Sequence, residues 1–149
     1  MINLPSFTLE NYDEKNIIHR STIIELSNEI GVQKAFYDLE NYLKEILTNQ
    51  DYLNRVYIAF ESKTPIGFIS ISKIGTSYQI SYAILKEMRL QHKATTLLNE
   101  FTQMIFQIEP AIDKLVLFIN KLNTGSTIVA KASGYQKENQ TKYSITRFK

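Results

Sequence analysis

The order of hydrophobic periods along this chain predicts an α/β (α+β) protein of about six to seven strands and about four helices. Three stretches carry that expectation. In residues 55–85 three extended segments are separated by turn residues at Thr64-Pro65 and Gly75-Thr76-Ser77, which reads as an antiparallel meander with short loops. Next, Ala94, Leu97, Leu98, Phe101, Ile105 and Ile108 recur at spacings of three and four, the stripe of one long amphipathic helix. Finally, Leu115-Val116-Leu117-Phe118-Ile119 is a continuous apolar run, as expected of a strand buried on both faces.

The other elements fall around these. Residues 6–10 suit a short strand, followed by the polar Asn11-Tyr12-Asp13-Glu14. Over residues 16–30, Ile17, Ile23, Leu26 and Ile30 predict a first helix with Gly31 as its stop. A second helix carries Phe36, Leu39, Leu43, Ile46 and Leu47, and Thr48-Asn49-Gln50-Asp51 ends it. Strands are expected at Arg55–Glu61, at residues 66–73 and in the segment where Tyr78, Ile80, Tyr82 and Ile84 alternate with polar or small residues. Glu109-Pro110 stops the long helix and residues 114–120 form the apolar strand. Asn123-Thr124 caps a short helix to about Ser133, closed by Gly134. Residues 135–137 and 143–148 then make a last hairpin around Glu138-Asn139-Gln140-Thr141.

The totals narrow the function. With 149 residues, 44% of them hydrophobic, one core and a single domain spanning 1–149 are expected. A net charge of +2, from 17 basic and 15 acidic residues, is too balanced to argue for a nucleic-acid or membrane-surface partner. The absence of cysteine excludes disulfides, thiolate metal sites and a cysteine nucleophile. With His19 and His92 the only histidines, no metal centre is expected. The N-terminal MINLPSFTLENYDEKN lacks a basic segment followed by an apolar run, and no apolar run approaches the ~20 residues that span a bilayer. A soluble, cytoplasmic protein is the default expectation.

Chemistry is expected in the strand, turn and helix of residues 79–108. Only residues 86–93 join the strand to the helix, so the helix N-terminus opens just past the strand end. Its unpaired N–H groups and positive dipole end make an anion site.

At this point the chain resembles the GNAT superfamily of N-acyltransferases over nearly its whole length. Members commonly show Arg or Gln, two residues, Gly, one residue, then Gly or Ala after the central strand; here the segment reads Arg89-Leu90-Gln91-His92-Lys93-Ala94. His92 stands where glycine is usual. A second pattern, Asn123-Thr124-Gly125-Ser126 followed by Ala130-Lys131-Ala132-Ser133-Gly134-Tyr135, resembles the family's Asn-x-x-Ser opening and Gly-Phe ending. The motif is nearest to the Rim-type branch, which acetylates protein N-termini.

The resemblance implies a mixed, mostly antiparallel twisted sheet with helices on its faces, acetyl-CoA as cosubstrate and a primary amine as acceptor. It places the pantetheine arm between residues 80–85 and 115–119, where Ile84 and Leu85 offer backbone. The pyrophosphate would lie on the N–H groups of Leu90, Gln91, His92, Lys93, Ala94 and Thr95, with Arg89 and Lys93 adding charge. Asn123 and Ser126 complete the donor site. Many members carry a tyrosine acid seven residues after the motif asparagine, where this chain has Ala130; in the Rim-type branch a serine in the place of Ser126 serves instead. A glutamate often present on the central strand is replaced by Gln79. Glu87, Glu61 and Glu138 are then the carboxylates to consider as base, together with a water held by Ser81 or Tyr82. Tyr78, Tyr82, Tyr135 and Tyr143 either line an acceptor pocket or pack on strands.

The family's acceptor pocket is usually shaped by the first two helices, here about residues 29–36, and the final hairpin. Asp13, Glu14, Glu25 and Glu29 would attract a cationic amine. A protein N-terminus, a polyamine, an aminoglycoside and an amino acid stay open as acceptors, and a homodimer is common in the family. The three departures at His92, Ala130 and Gln79 sustain an alternative, a degenerate member that binds CoA or a protein partner without acyl transfer.

Overall fold

Eight strands build one sheet in a computed structural model that describes residues 1–49, 51, 53–120 and 122–147 and, at Leu90 and Gln91, the backbone alone. They are β1 (Ile2–Asn3), β2 (Thr8–Asn11), β3 (Arg55–Glu61), β4 (Thr64–Ile74), β5 (Ser77–Ile84), β6 (Lys114–Phe118), β7 (Gln136–Lys137) and β8 (Lys142–Thr146). Their spatial order is β1-β2-β3-β4-β5-β6-β8-β7, and every neighbouring pair is antiparallel except β5 and β6. The two-residue β1 takes the count above the six or seven expected, since so short a pairing leaves no periodicity to read. The expected segment ends at Gln50 and Phe148 lie outside the described residues.

Among the described residues five α-helices are present instead of four: α1 (Ile17–Ser27), α2 (Ile30–Phe36), α3 (Leu39–Thr48), α4 (Lys93–Ile108) and α5 (Thr124–Ala132). The extra helix comes from a break at Tyr37, whose φ is 59°, followed by Asp38, which accepts the Asn41 N–H at 3.1 Å and starts α3. Gly31 does not stop the first helix. It lies inside α2, and α1 ends at Asn28, whose N–H returns to Ile24 and Glu25. Ile17, Ile30 and Leu47, expected on the apolar stripes, are exposed, and Val32 is buried. Ile108, the last residue of α4, is exposed as well.

The turn expected at Thr64-Pro65 sits two residues earlier, at Ser62-Lys63, with Ser62 at φ 56°. Pro65 is inside β4, opposite Phe60, where a register shift between Ala59 and Phe60 marks a bulge. A bulge tolerates a residue with no N–H to give the ladder.

Alternation sorts the sheet's side chains into two cores. Tyr57, Ala59, Ile69, Ile71, Ile80 and Ile84 pack with Leu97, Leu98, Phe101 and Ile105 of α4 and Ala130 of α5. Val56, Ile58, Phe60, Phe68 and Ala83 pack with Ile23, Leu26, Val32, Leu39, Leu43 and Ile46 of α1, α2 and α3. Helices therefore cover both faces, with β5 carrying residues of each core. Among the described residues no helix is long and apolar enough to cross a membrane.

Candidate active site

The parallel pair β5 and β6 is joined only at Tyr78–Leu115 and Gln79–Val116. Beyond those pairs β5 stays in register with β4 as far as Ile84, while β6 stays with β8 as far as Phe118. The strands fork, and the edge of β5 from Tyr82 to Ile84 is left uncovered. Gly67 helps to set the fork. It lies opposite Ile84, and a Cβ built there would come 2.1 Å from the Ala83 carbonyl oxygen, so only glycine lets the end of β5 lie so close to β4.

A cavity of about 330 Å³ runs through the fork from one face of the sheet to the other. On the α2 side it is lined by Gly31, Val32, Ala35 and Phe36, and on the far side by Ala94 of α4 and Asn123, Gly125, Ser126 and Val129 around α5. Tyr82, Ala83 and Ile84 form the strand edge between them, with Arg89 as the charged lining residue. A wider groove of about 870 Å³ lies along α4 and β8, walled by residues such as Asn99, Gln103 and Gln136. None of the candidate residues borders it.

Past Leu85, residues Lys86–Gln91 form a 3₁₀ helix that leads into α4. His92 links the two at φ 57° and ψ 22°. This is the left-handed conformation that glycine takes without strain, here adopted by a residue type that is tolerated in it. The His92 side chain makes no cap on α4, so the N–H groups of the first turn face outward from its N-terminus.

The two basic side chains beside this turn are engaged. Arg89 is salt-bridged to Glu29 and donates from Nε to the Ile84 carbonyl at 3.0 Å, while the other Glu29 oxygen accepts the Lys86 N–H at 3.2 Å. Lys93 is turned inward, its side chain only 9% exposed, and pairs with Glu61 at the end of β3. The sequence places Lys93 in a helix start; only the fold brings Glu61 to it.

On α5, Asn123 accepts the Ser126 N–H at 3.0 Å. The capping role thus belongs to Asn123, and the Ser126 side chain faces Tyr82 across the fork. The Tyr82 hydroxyl is buried without a well-formed hydrogen bond. Burial pushes its phenol up to about 12, and the nearby Ser126 hydroxyl offsets part of that rise. Tyr135 stands behind Tyr82 and hydrogen-bonds Thr102 at 2.7 Å; burial raises its phenol too. The Thr102–Tyr135 bond left no signal in the sequence, because its members lie 33 residues apart on a helix and a loop.

Each candidate carboxylate is accounted for outside the cavity lining. Glu87 is exposed and faces Glu25, whose carboxyl is raised first by desolvation and then by Glu87 and Glu29. Glu61 holds Lys93, and Glu138 holds Lys114 and Lys142 at 3.1 and 3.8 Å, the Lys114 bond chiefly lowering its carboxyl. Ser81 is on the opposite face of β5, bonded to Tyr42. Tyr143 is buried core, whereas Tyr78 is only partly buried against it. Asp13 and Glu14 border a separate cleft between the start of α1 and α3.

No family model matches the sequence and no curated protein matches it. Solved structures do. An acetyltransferase of the GNAT family from Bacillus anthracis aligns with a TM-score of 0.77 over 97% of this chain and 97% of its own, at 14% identity. The chain has the GNAT fold. The aminoglycoside acetyltransferase AAC(6')-Ib, solved with coenzyme A and kanamycin, shares it at TM-score 0.75 and 17% identity, covering 95% of each chain. So does the N-acetyltransferase PseH of Campylobacter jejuni, solved with acetyl coenzyme A, at TM-score 0.68 and 17% identity over 95% of this chain and 99% of that one. Within this GNAT fold the fork, the turn before α4 and the start of α5 meet at one cavity.

Proposed function

We propose that this protein is an N-acetyltransferase that moves an acetyl group from acetyl-CoA to a primary amine by direct attack while both are bound. The observation that carries the reading is the fork between β5 and β6. Backbone of β5 from Tyr82 to Ile84 that no strand pairs on the β6 side, with the Ile84 carbonyl taken by Arg89, borders a cavity lined from both faces of the sheet, and a helix N-terminus stands at its end. An extended amide-bearing chain with a pyrophosphate at one end suits this arrangement. Its amides meet the strand edge, and its phosphates meet the N–H groups of Lys93, Ala94 and Thr95 at the positive end of α4. Lys93 contributes there through its backbone, since its ammonium is held by Glu61.

Ser126 and Tyr82 are the groups proposed to handle the proton at the departing sulfur. A phenol raised to about 12 stays protonated at neutral pH and is a hydrogen-bond donor, and Ser126 beside it can pass a proton without bearing charge. With no carboxylate on the described cavity wall, most of the rate would come from holding amine and thioester in line. The proteins of the same fold solved with coenzyme A or acetyl coenzyme A support the donor assignment.

Two measurements test this. Calorimetry should detect micromolar acetyl-CoA binding, and thiol release from acetyl-CoA should require an amine. Binding without amine-dependent release would favour the non-catalytic alternative.

A further inference from the structure

We infer that the acceptor is a weakly basic primary amine on a small apolar body, an α-amino compound being the fitting class, and that it enters the cavity uncharged. This rests on the acyl-transfer reading above. On the acceptor side the wall is α2, which presents Val32, Ala35 and Phe36 against the edge of β5. Among the described residues lining the cavity, Arg89 from the 3₁₀ turn is the charged group and Tyr82 from β5 the other ionisable one. The lining residues of α4 and α5 add none. Glu29, at the start of α2, is occupied by Arg89 and the Lys86 N–H. Glu25 and Glu87 crowd each other outside the lining.

An ammonium ion carried into such a site loses its water and meets no unpaired counter-charge on the wall, the Arg89–Glu29 pair being neutral as a whole. Desolvation therefore favours the neutral amine. An ordinary α-amine, with a pKa near 8, is about 10% neutral at pH 7, whereas a lysine-like amine near 10.4 is only about 0.04% neutral, a difference of roughly 200-fold. At about 330 Å³, shared with the thioester, the cavity is at the lower end of small-molecule sites and leaves room for a compact body.

Proton balance supports the same class. When a neutral amine attacks the thioester carbonyl, the N–C bond forms and the C–S bond breaks; nitrogen gives up one proton and sulfur gains one. The hydroxyls of Tyr82 and Ser126 then need only carry that proton from nitrogen to sulfur. An ammonium would require a base for a second proton, and the described wall has no carboxylate to take it.

The test uses the full chain with acetyl-CoA at pH 7 and four amines: L-phenylalaninamide, phenethylamine, spermidine and kanamycin. The first two share an aromatic body and differ in basicity. L-Phenylalaninamide should show kcat/KM on the order of 100 times that of phenethylamine, the two converging when counted per neutral amine. Ala35→Glu, at an exposed position on the cavity wall, should narrow that ratio at least about tenfold by supplying a carboxylate. Phenethylamine equal to L-phenylalaninamide, or spermidine or kanamycin as the best acceptor, would overturn this inference and leave acyl transfer standing. Acetyl-CoA binding with no thiol release from any of the four would overturn both.

Discussion

Replacing Tyr82 by phenylalanine removes one oxygen from a buried position where it has no well-formed hydrogen bond. A buried unsatisfied polar group costs about 1–3 kcal/mol, and the neighbouring Ser126 hydroxyl recovers part of it, so Tyr82→Phe should be about 1 kcal/mol more stable than the parent. For a chain of 149 residues that is a rise in Tm of about 3 °C. The alkaline limb should change as well. Because the folded-state phenol is raised from 10.0 to about 12, both states are protonated below pH 10 and the group adds no pH dependence there. Between pH 10 and 12 the unfolded chain ionises first, and roughly 2–3 kcal/mol of stability is lost as pH rises through the folded value. Urea unfolding at pH 7, 10 and 11.5 should therefore show a smaller alkaline loss in Tyr82→Phe. In the same variant kcat for amine-dependent thiol release should fall about 100-fold with acetyl-CoA affinity unchanged. A variant that is less stable at pH 7 and keeps full kcat would refute the reasoning and make the hydroxyl an ordinary structural group.

Three further substitutions probe the turn and the fork. Lys93→Met should leave acetyl-CoA affinity within about threefold, because only the backbone of Lys93 is offered to phosphate, and Glu61, 44% exposed, can be solvated when its partner goes; a tenfold weaker Kd by calorimetry would restore the ammonium to the donor site. His92→Gly should raise stability by about 0.5–1 kcal/mol in urea titrations, since glycine holds φ 57° without a Cβ, and a loss would mean that the imidazole has a packing role. Gly67→Ala should lower stability by about 3 kcal/mol, its Cβ falling 2.1 Å from the Ala83 carbonyl oxygen. A drop in Tm below about 2 °C would show that β5 can shift away from β4 at no great expense.

Much of the secondary structure was legible because its cause is local. Arg55–Glu61 lies where the change from a helical to an extended pattern puts it. The stripe of α4 is buried at Leu97, Leu98, Phe101 and Ile105, and Asn123 caps α5 as its side chain and position suggest. The break at Tyr37 was not legible. A tyrosine at positive φ carries none of the usual signs of a helix end, and the split is held by the packing of Phe36 against Tyr42 and Phe68. In the same way Pro65 marks a bulge within a strand, because what decides its place is the partner strand and not its neighbours in sequence.

The sequence by itself determined most of the order of elements, the start of the long helix at the end of the 86–93 connection and the cap at Asn123, since periodicity and capping act within a few residues. The tertiary structure decided which side chains meet. Lys93 is withdrawn to Glu61, Arg89 is shared by Glu29 and the Ile84 carbonyl, and Tyr82 and Ser126 face each other. Each of these depends on where β5 and β6 part and on which helices cover the two faces there. That separation is a balance between strand pairings far apart in the chain, and no local pattern encodes it.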